Sequence, residues 1–143
     1  MRYHRSLLAF GLVSMMSGCS GGPTFAEVEG YVKKNGKPLD NIQVEFWPEG
    51  NGPKSTGVTD AEGKYVLNSV DSKRKGAMIG KHVVILQDLK VRGDKFLGRA
   101  AENHDFSKYP KTRIPLIYNN VTSTRLKKEV VAGQSNVIEL TVE

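Results

Sequence analysis

Short runs in which apolar and polar residues alternate recur along most of the chain. Ile42, Val44 and Phe46 fall on one face of a strand, and the residues between them are polar. Turn signals such as Asn35-Gly36 separate these runs, and no stretch beyond the first 18 residues has a convincing helical period. Seven such runs occur, at 25–32, 41–46, 55–59, 64–68, 81–87, 124–131 and 136–142. Their spacing predicts an all-β sandwich of seven antiparallel strands in two layers.

One long stretch, 90–121, interrupts this pattern. Loops of that length are uncommon and usually have a function or special packing. It contains Tyr109, Arg113 and Tyr118, while Trp47 falls on the polar face of its own strand. Aromatic faces beside hydrogen-bonding groups suit sugars and peptides, so these four residues are the candidate ligand surface. The favoured alternative is that the rings fix the loop onto the sandwich.

The N-terminus predicts export and attachment to a membrane. Residues 1–5 are basic, and the apolar segment 6–16 is shorter than the 20 or so residues that a membrane span requires. The run Met16-Ser17-Gly18-Cys19 then resembles the lipobox of bacterial lipoproteins. That resemblance implies cleavage before Cys19 and a diacylglycerol on its thiol, which several acyl chains would make a lasting anchor. The alternative is a secreted protein in which the cysteine occurs by chance.

These features divide the chain into a signal peptide at 1–18, a flexible tether at 19–24 and one domain at 25–143. In the enteric bacterial lipoproteins that this start resembles, an aspartate after the cysteine is a signal for retention in the inner membrane. Ser20 stands at that position, so the resemblance implies the outer membrane within the cell envelope. Because Cys19 is the only cysteine, the domain contains no internal disulfide. The sequence does not indicate an oligomeric state.

The charge of the chain argues against nucleic acid as a partner. Without residues 1–18, 19 basic and 15 acidic side chains remain, a net charge of +4. The basic residues are scattered, and no nucleic-acid-binding module is evident. A net charge of this size is better explained by weak attraction to an anionic membrane or wall polymer.

Several motifs occur together in an order typical of one known module. They are V-x-G-x-V at 28–32, G-K-P-L at 36–39, T-D-A-E-G-K-Y at 59–65 and G-A-M-I-G-K-H-V-V-I at 76–85. This order resembles the carboxypeptidase regulatory-like, or transthyretin-like, domain. The ending from Ile114-Pro115 to Asn136 is similar to that of small lipoproteins of planctomycete-type bacteria. The resemblance implies a seven-stranded Ig-like β-sandwich that acts as a structural or protein-interaction domain. It implies no set of catalytic residues in this chain. Lys128 departs from the pattern, which implies either a lysine at a sheet edge or a bulge.

The residues that carry chemistry do not form a catalytic set. The three histidines are His4, His82 and His104, and they lack the spacing of a metal site. Asp60 fits a turn cap better than a calcium ligand. We therefore expect no enzyme activity, metal or cofactor. The expected function is a lipid-anchored envelope protein with a non-catalytic structural or protein-interaction domain, and the alternative is a module that binds carbohydrate or cell-wall polymer.

Overall fold

The computed structural model describes residues 24–71, 73–92 and 111–143. The predicted signal peptide, Cys19 and Tyr109 lie outside these ranges.

The described residues are all-β in character, with eleven strands in three sheets instead of seven strands in two layers. The strands are β1 (Phe25–Ala26), β2 (Val28–Lys34), β3 (Lys37–Pro38), β4 (Ile42–Pro48), β5 (Ser55–Val58), β6 (Lys64–Val66), β7 (Asn68–Ser69), β8 (Ala77–Met78), β9 (Gly80–Asp88), β10 (Lys127–Val130) and β11 (Asn136–Val142). A short helix α1 (Leu89–Arg92) and a 3-10 turn (Leu116–Asn119) complete the assignment.

The strand count differs from the prediction for local reasons. Each of the seven predicted runs contains a strand, but the first run is divided into β1 and β2, and the fourth into β6 and β7. Leu67 separates β6 from β7 because its N–H donates to the Val28 carbonyl while its own carbonyl accepts from Gly76. At Leu67 the chain therefore passes from one sheet to the other. The short strands β3 and β8 were not predicted.

Two larger sheets contain most of the strands. One has the order β10-β9-β4-β5-β7, and the other has the order β11-β2-β3 with β6 also paired to β2. The two-residue strands β1 and β8 form the third sheet. Among the described strands, the β2–β11 pair is parallel and the other pairs are antiparallel, so the prediction of uniformly antiparallel pairing is wrong here. After β10 the chain crosses to the other sheet and does not return beside β10 as a hairpin, which permits parallel pairing.

Both larger sheets contribute to one hydrophobic core, which gives the fold its sandwich-like character. The alternation predicted for β4 is confirmed, because Ile42, Val44 and Phe46 are all fully buried. Val32 and Leu140 supply the opposite side from β2 and β11.

Lys128 lies half-buried in β10, which is an edge strand, and its register with β9 is unbroken. Of the two explanations offered above, the structure therefore favours a lysine at a sheet edge over a bulge.

Candidate functional site

The described members of the candidate ligand surface lie apart. Trp47 pairs with Val83 near the end of β4, whereas Arg113 binds Asp88, which pairs with Ile42 at the beginning of β4. Five residues along a strand correspond to about 16 Å. Tyr118 is half-buried and packs against the core. The described residues therefore do not join Trp47, Arg113 and Tyr118 into one patch, and Tyr109 lies outside them.

Trp47 belongs to a polar cluster on the outer face of β4. This cluster, the Trp47 surface, consists of Gln43, Glu45, Trp47 and Lys54. Both carboxylate oxygens of Glu45 are used: Gln43 Nε2 donates to Oε1 at 2.8 Å and Trp47 Nε1 donates to Oε2 at 2.9 Å. Lys54 Nζ lies 3.1 Å from the same Oε2. Glu45 is only 5% exposed, so this carboxylate is stabilised within the cluster and has little contact with water.

The same contacts fix the orientation of the indole ring. Lys54 Nζ lies 4.7 Å from the centre of the Trp47 ring, within the range of a cation–π interaction. Trp47 is nevertheless 36% exposed, so part of the ring is open to a partner. A ring held by a hydrogen bond and a cation loses little conformational freedom when a partner binds it. The Trp47 surface is therefore suited to recognition.

Arg113 has a role inside the protein. Its Nε and Nη2 atoms donate to the two carboxylate oxygens of Asp88 at 2.9 and 2.7 Å. Its Nη1 and Nη2 also donate to the Asp40 side chain and carbonyl, and its backbone N–H donates to Asp88. We call Asp40, Asp88 and Arg113 the Arg113 clasp. Since four guanidinium hydrogen bonds are made within the clasp, Arg113 has little capacity left for a ligand.

The electrostatics of the clasp follow from these contacts. Hydrogen bonds from Lys90, and then from Arg113, hold the pKa of Asp40 well below its ordinary value. Burial by itself would raise the pKa of Asp88, but the hydrogen bonds and charge of Arg113 outweigh burial and the pKa is lowered. Asp88 in turn raises the pKa of Arg113. All three groups are therefore charged near neutral pH.

His82 is the one histidine among the described residues, and it is buried. Its Nδ1 lies 3.0 Å from the Gly80 carbonyl, which can only accept, so Nδ1 holds the ring proton. Nε2 is buried and has no hydrogen-bond partner among the described residues, and burial lowers the pKa of the ring. The imidazole contacts Phe46 at 5.7 Å between ring centres. These contacts give His82 a packing role.

Asp60 caps the turn between β5 and β6. Asp60 Oδ1 accepts from the N–H groups of Glu62 and Lys64, as expected for a turn cap. Within 24–71, 73–92 and 111–143, no three His, Cys, Asp or Glu side chains are grouped so that they could hold a metal ion.

Sequence analysis found Trp47 and Arg113 but missed their partners. Glu45 could have been found, because residues 43, 45 and 47 share one face of a strand. The partners of Arg113 lie 25 and 73 residues away in the sequence, and no local pattern connects them.

Among the described residues, no helix has the length and apolar character needed to cross a membrane. No family model, curated protein or solved structure matches the chain. The resemblance to lipoproteins with a transthyretin-like domain therefore stays a prediction from sequence motifs.

Proposed function

We propose that this protein is a bacterial lipoprotein of the cell envelope, anchored through Cys19, whose domain is a non-catalytic structural or protein-interaction module. The observation that carries the proposal is the run Met16-Ser17-Gly18-Cys19 directly after a basic start and a short apolar segment. The domain is proposed to be an Ig-like, transthyretin-like sandwich, and the all-β fold with its shared core supports that proposal. The outer membrane is the proposed location.

The distance between the anchor and the domain is short. β1 begins at Phe25, six residues after Cys19, and that length of chain spans at most about 20 Å. An anchored domain would therefore work close to the bilayer surface. A partner within reach would be another envelope protein, which agrees with an interaction role.

The anchor is tested by replacing Cys19 with alanine in the full chain expressed in a bacterial host. We expect the wild type to enter the detergent phase on phase partitioning and Cys19→Ala to lose lipid attachment, because the thiol is the acylated atom. Mass spectrometry of the wild type should show a diacylglycerol on Cys19 and removal of residues 1–18. Ser20→Ala is the matched control and should behave as the wild type. If the wild type and Cys19→Ala have the same mass apart from the substitution, the protein is not a lipoprotein.

The Trp47 surface is the proposed interaction site. Tryptophan is enriched among the residues that contribute most to the binding energy of protein interfaces. Trp47 combines partial exposure with a fixed orientation. Val58 lies opposite Gln43, at the other end of the Trp47 surface, and adds an exposed apolar side chain on the same face. These contacts favour a protein partner that covers the ring.

The interaction is tested by placing a photo-crosslinking phenylalanine derivative at position 47 in cells. We expect a discrete adduct from position 47 and none from position 137, since Val137 is 65% exposed but lies on the outer face of the other sheet. A Trp47→Ala variant should weaken binding of the captured protein at least tenfold, the effect of losing about 1.4 kcal/mol or more. The absence of an adduct at 47, or equal adducts at both positions, would contradict the proposal.

The alternative, binding of carbohydrate or cell-wall polymer, now depends on Trp47, because Arg113 is engaged in the clasp and Tyr118 packs against the core. Trp47 is the only tryptophan in the chain, so intrinsic tryptophan fluorescence reports on this surface alone. A saturable spectral shift with wall saccharides would favour the alternative over a protein partner.

A further inference from the structure

A loop with three consecutive basic residues projects from the end of β7. Its described residues are Val70, Asp71, Lys73, Arg74 and Lys75, which we call the basic loop; all of them are exposed. The loop is closed at its base, where the Ser69 N–H donates to the Arg74 carbonyl at 2.8 Å and Asn68 pairs with Lys75. The three cations are therefore held close together on a defined turn.

The basic loop lies beside the beginning of the domain. β8 follows the loop directly and pairs with β1, with Ala77 opposite Ala26 and Met78 opposite Phe25. The Arg74 guanidinium carbon lies 5.4 Å from the centre of the Phe25 ring. The basic loop and the point where the chain arrives from Cys19 therefore share one corner of the molecule.

Close packing fixes this position. Gly76 has a left-handed φ of 88° and lies against the Ala26 carbonyl so tightly that a side chain there would collide with it. The backbone between the loop and β1 therefore has little freedom to separate. An anchor at Cys19, at most about 20 Å of chain from Phe25, would hold this corner near the headgroups.

We infer that the basic loop docks on anionic phospholipid headgroups of the same membrane that holds Cys19. This inference rests on the proposed lipid anchor. Basic residues near an anionic bilayer bind it through long-range attraction, and anchoring removes most of the entropic penalty of association. In the described part of the chain neither Lys73 nor Lys75 forms an ion pair, whereas Lys54 and Lys127 do. The charges of Lys73 and Lys75 are therefore available to an anionic membrane surface.

Three residues in or beside the basic loop modify this attraction. Val70 is 48% exposed beside the cations, and an apolar side chain at that place can enter the interfacial region of a bilayer. Asp71 and Glu27 are exposed nearby and oppose the attraction. Lys73 and Lys75 together outnumber Asp71, so the loop is net positive even when the charge of Arg74 is left out of the count.

The test uses the lipidated protein, expressed from the full chain with Val70→Cys and labelled at that thiol with an environment-sensitive dye. Once Cys19 is acylated, residue 70 has the only free thiol. The protein is reconstituted into vesicles of phosphatidylcholine alone or of phosphatidylcholine with phosphatidylglycerol. We expect a blue shift of the dye only in the anionic vesicles, and loss of that shift at high salt.

Matched charge removal locates the contact. Lys73→Gln/Lys75→Gln should reduce the ratio of docked to undocked protein about 25-fold, from about fivefold per basic residue. Lys37→Gln/Lys111→Gln removes the same charge from two exposed lysines near the opposite end of the sandwich and should change the ratio less than about twofold. Equal effects of the two double variants would overturn the inference, as would equal emission in both kinds of vesicle.

The lipid anchor and the docking of the basic loop can fail independently of each other. If mass spectrometry finds no lipid on Cys19, the proposed function fails, and the same dye measurement is made with Cys19→Ser protein and added vesicles. A shift that needs both phosphatidylglycerol and the lysines Lys73 and Lys75 supports the membrane surface even then. A shift with an anionic wall polymer but none with vesicles overturns it.

Discussion

Replacing Arg113 with alanine should lower the free energy of unfolding by about 3–5 kcal/mol, because it leaves the Asp88 carboxylate buried without its partner. The Asp88 side chain is only 1% exposed in the folded protein, and the guanidinium group is the cation that compensates its charge there. Asp40 keeps its contact with Lys90 at 2.8 Å, so Asp88 accounts for most of the loss. Denaturation by urea, followed by circular dichroism, measures the change.

An exposed ion pair of equal length is the control. Lys33 Nζ lies 2.7 Å from Glu139 Oε2, the same distance as Arg113 Nη2 from Asp88 Oδ1, but both partners are open to solvent. Lys33→Ala should therefore cost about 1 kcal/mol or less. Asp88→Asn/Arg113→Ala should be more stable than Arg113→Ala alone, because no buried charge remains unpaired. Similar losses for Arg113→Ala and Lys33→Ala would show that burial does not determine the strength of the clasp.

The pH dependence of the Arg113 variant follows from the lowered pKa values in the clasp. A carboxylate whose pKa is lower in the folded state stabilises the protein fully above its unfolded pKa of about 4, and that contribution is lost as the pH falls below it. Without the guanidinium group, burial still raises the pKa of Asp88, while of the hydrogen bonds that lower it only those from the backbone N–H groups of residue 113 and Lys90 are left. The pKa of Asp88 is therefore higher in the folded variant than in the folded wild type, and acid costs the variant less stability. The difference in stability between wild type and variant should therefore be largest near pH 7 and narrow towards about pH 3.

The alternation of residues was sufficient to locate the strands but not to pair them. Ile42, Val44 and Phe46 could be assigned to the core because a period of two residues is local. The parallel partnership of β2 with β11 joins segments more than a hundred residues apart and depends on how the chain crosses between sheets. The change of sheet at Leu67 depends on two backbone hydrogen bonds to distant residues. Neither the parallel pairing nor the change of sheet produces a pattern in the local sequence.

The same distinction applies to the candidate site. Alternation placed Trp47 on an outer face, and the ring is partly exposed there. It could not show that Arg113 is engaged with Asp40 and Asp88, because the three residues meet only in the folded protein. Arg113 looked like a ligand residue since an arginine in a long loop is normally solvated. The clasp takes up four of its guanidinium hydrogen bonds and leaves Trp47 as the better candidate for recognition.

Gly30 is the central residue of the V-x-G-x-V run, and its position explains why a glycine is required there. It lies in β2 directly against the Ile138 carbonyl of β11, where a side chain would collide with backbone. The Tyr65 hydroxyl donates to the same carbonyl at 2.8 Å. Burial raises the pKa of Tyr65 well above its ordinary value, so the hydroxyl keeps its proton and remains a donor.

Gly30→Ala should therefore lower the free energy of unfolding by about 3–5 kcal/mol, by overpacking the β2–β11 junction and disturbing the buried Tyr65 hydrogen bond. Urea denaturation again provides the measurement. Gly50→Ala is the matched control, because an added methyl group there meets no atom within 4 Å, and it should change stability by about 0.5 kcal/mol or less. Tyr65→Phe should not rescue Gly30→Ala, since the collision is with the Ile138 carbonyl and remains when the hydroxyl is removed. If Gly30→Ala is as stable as Gly50→Ala, the two strands can separate at this point without loss, and the parallel pair does not depend on the glycine.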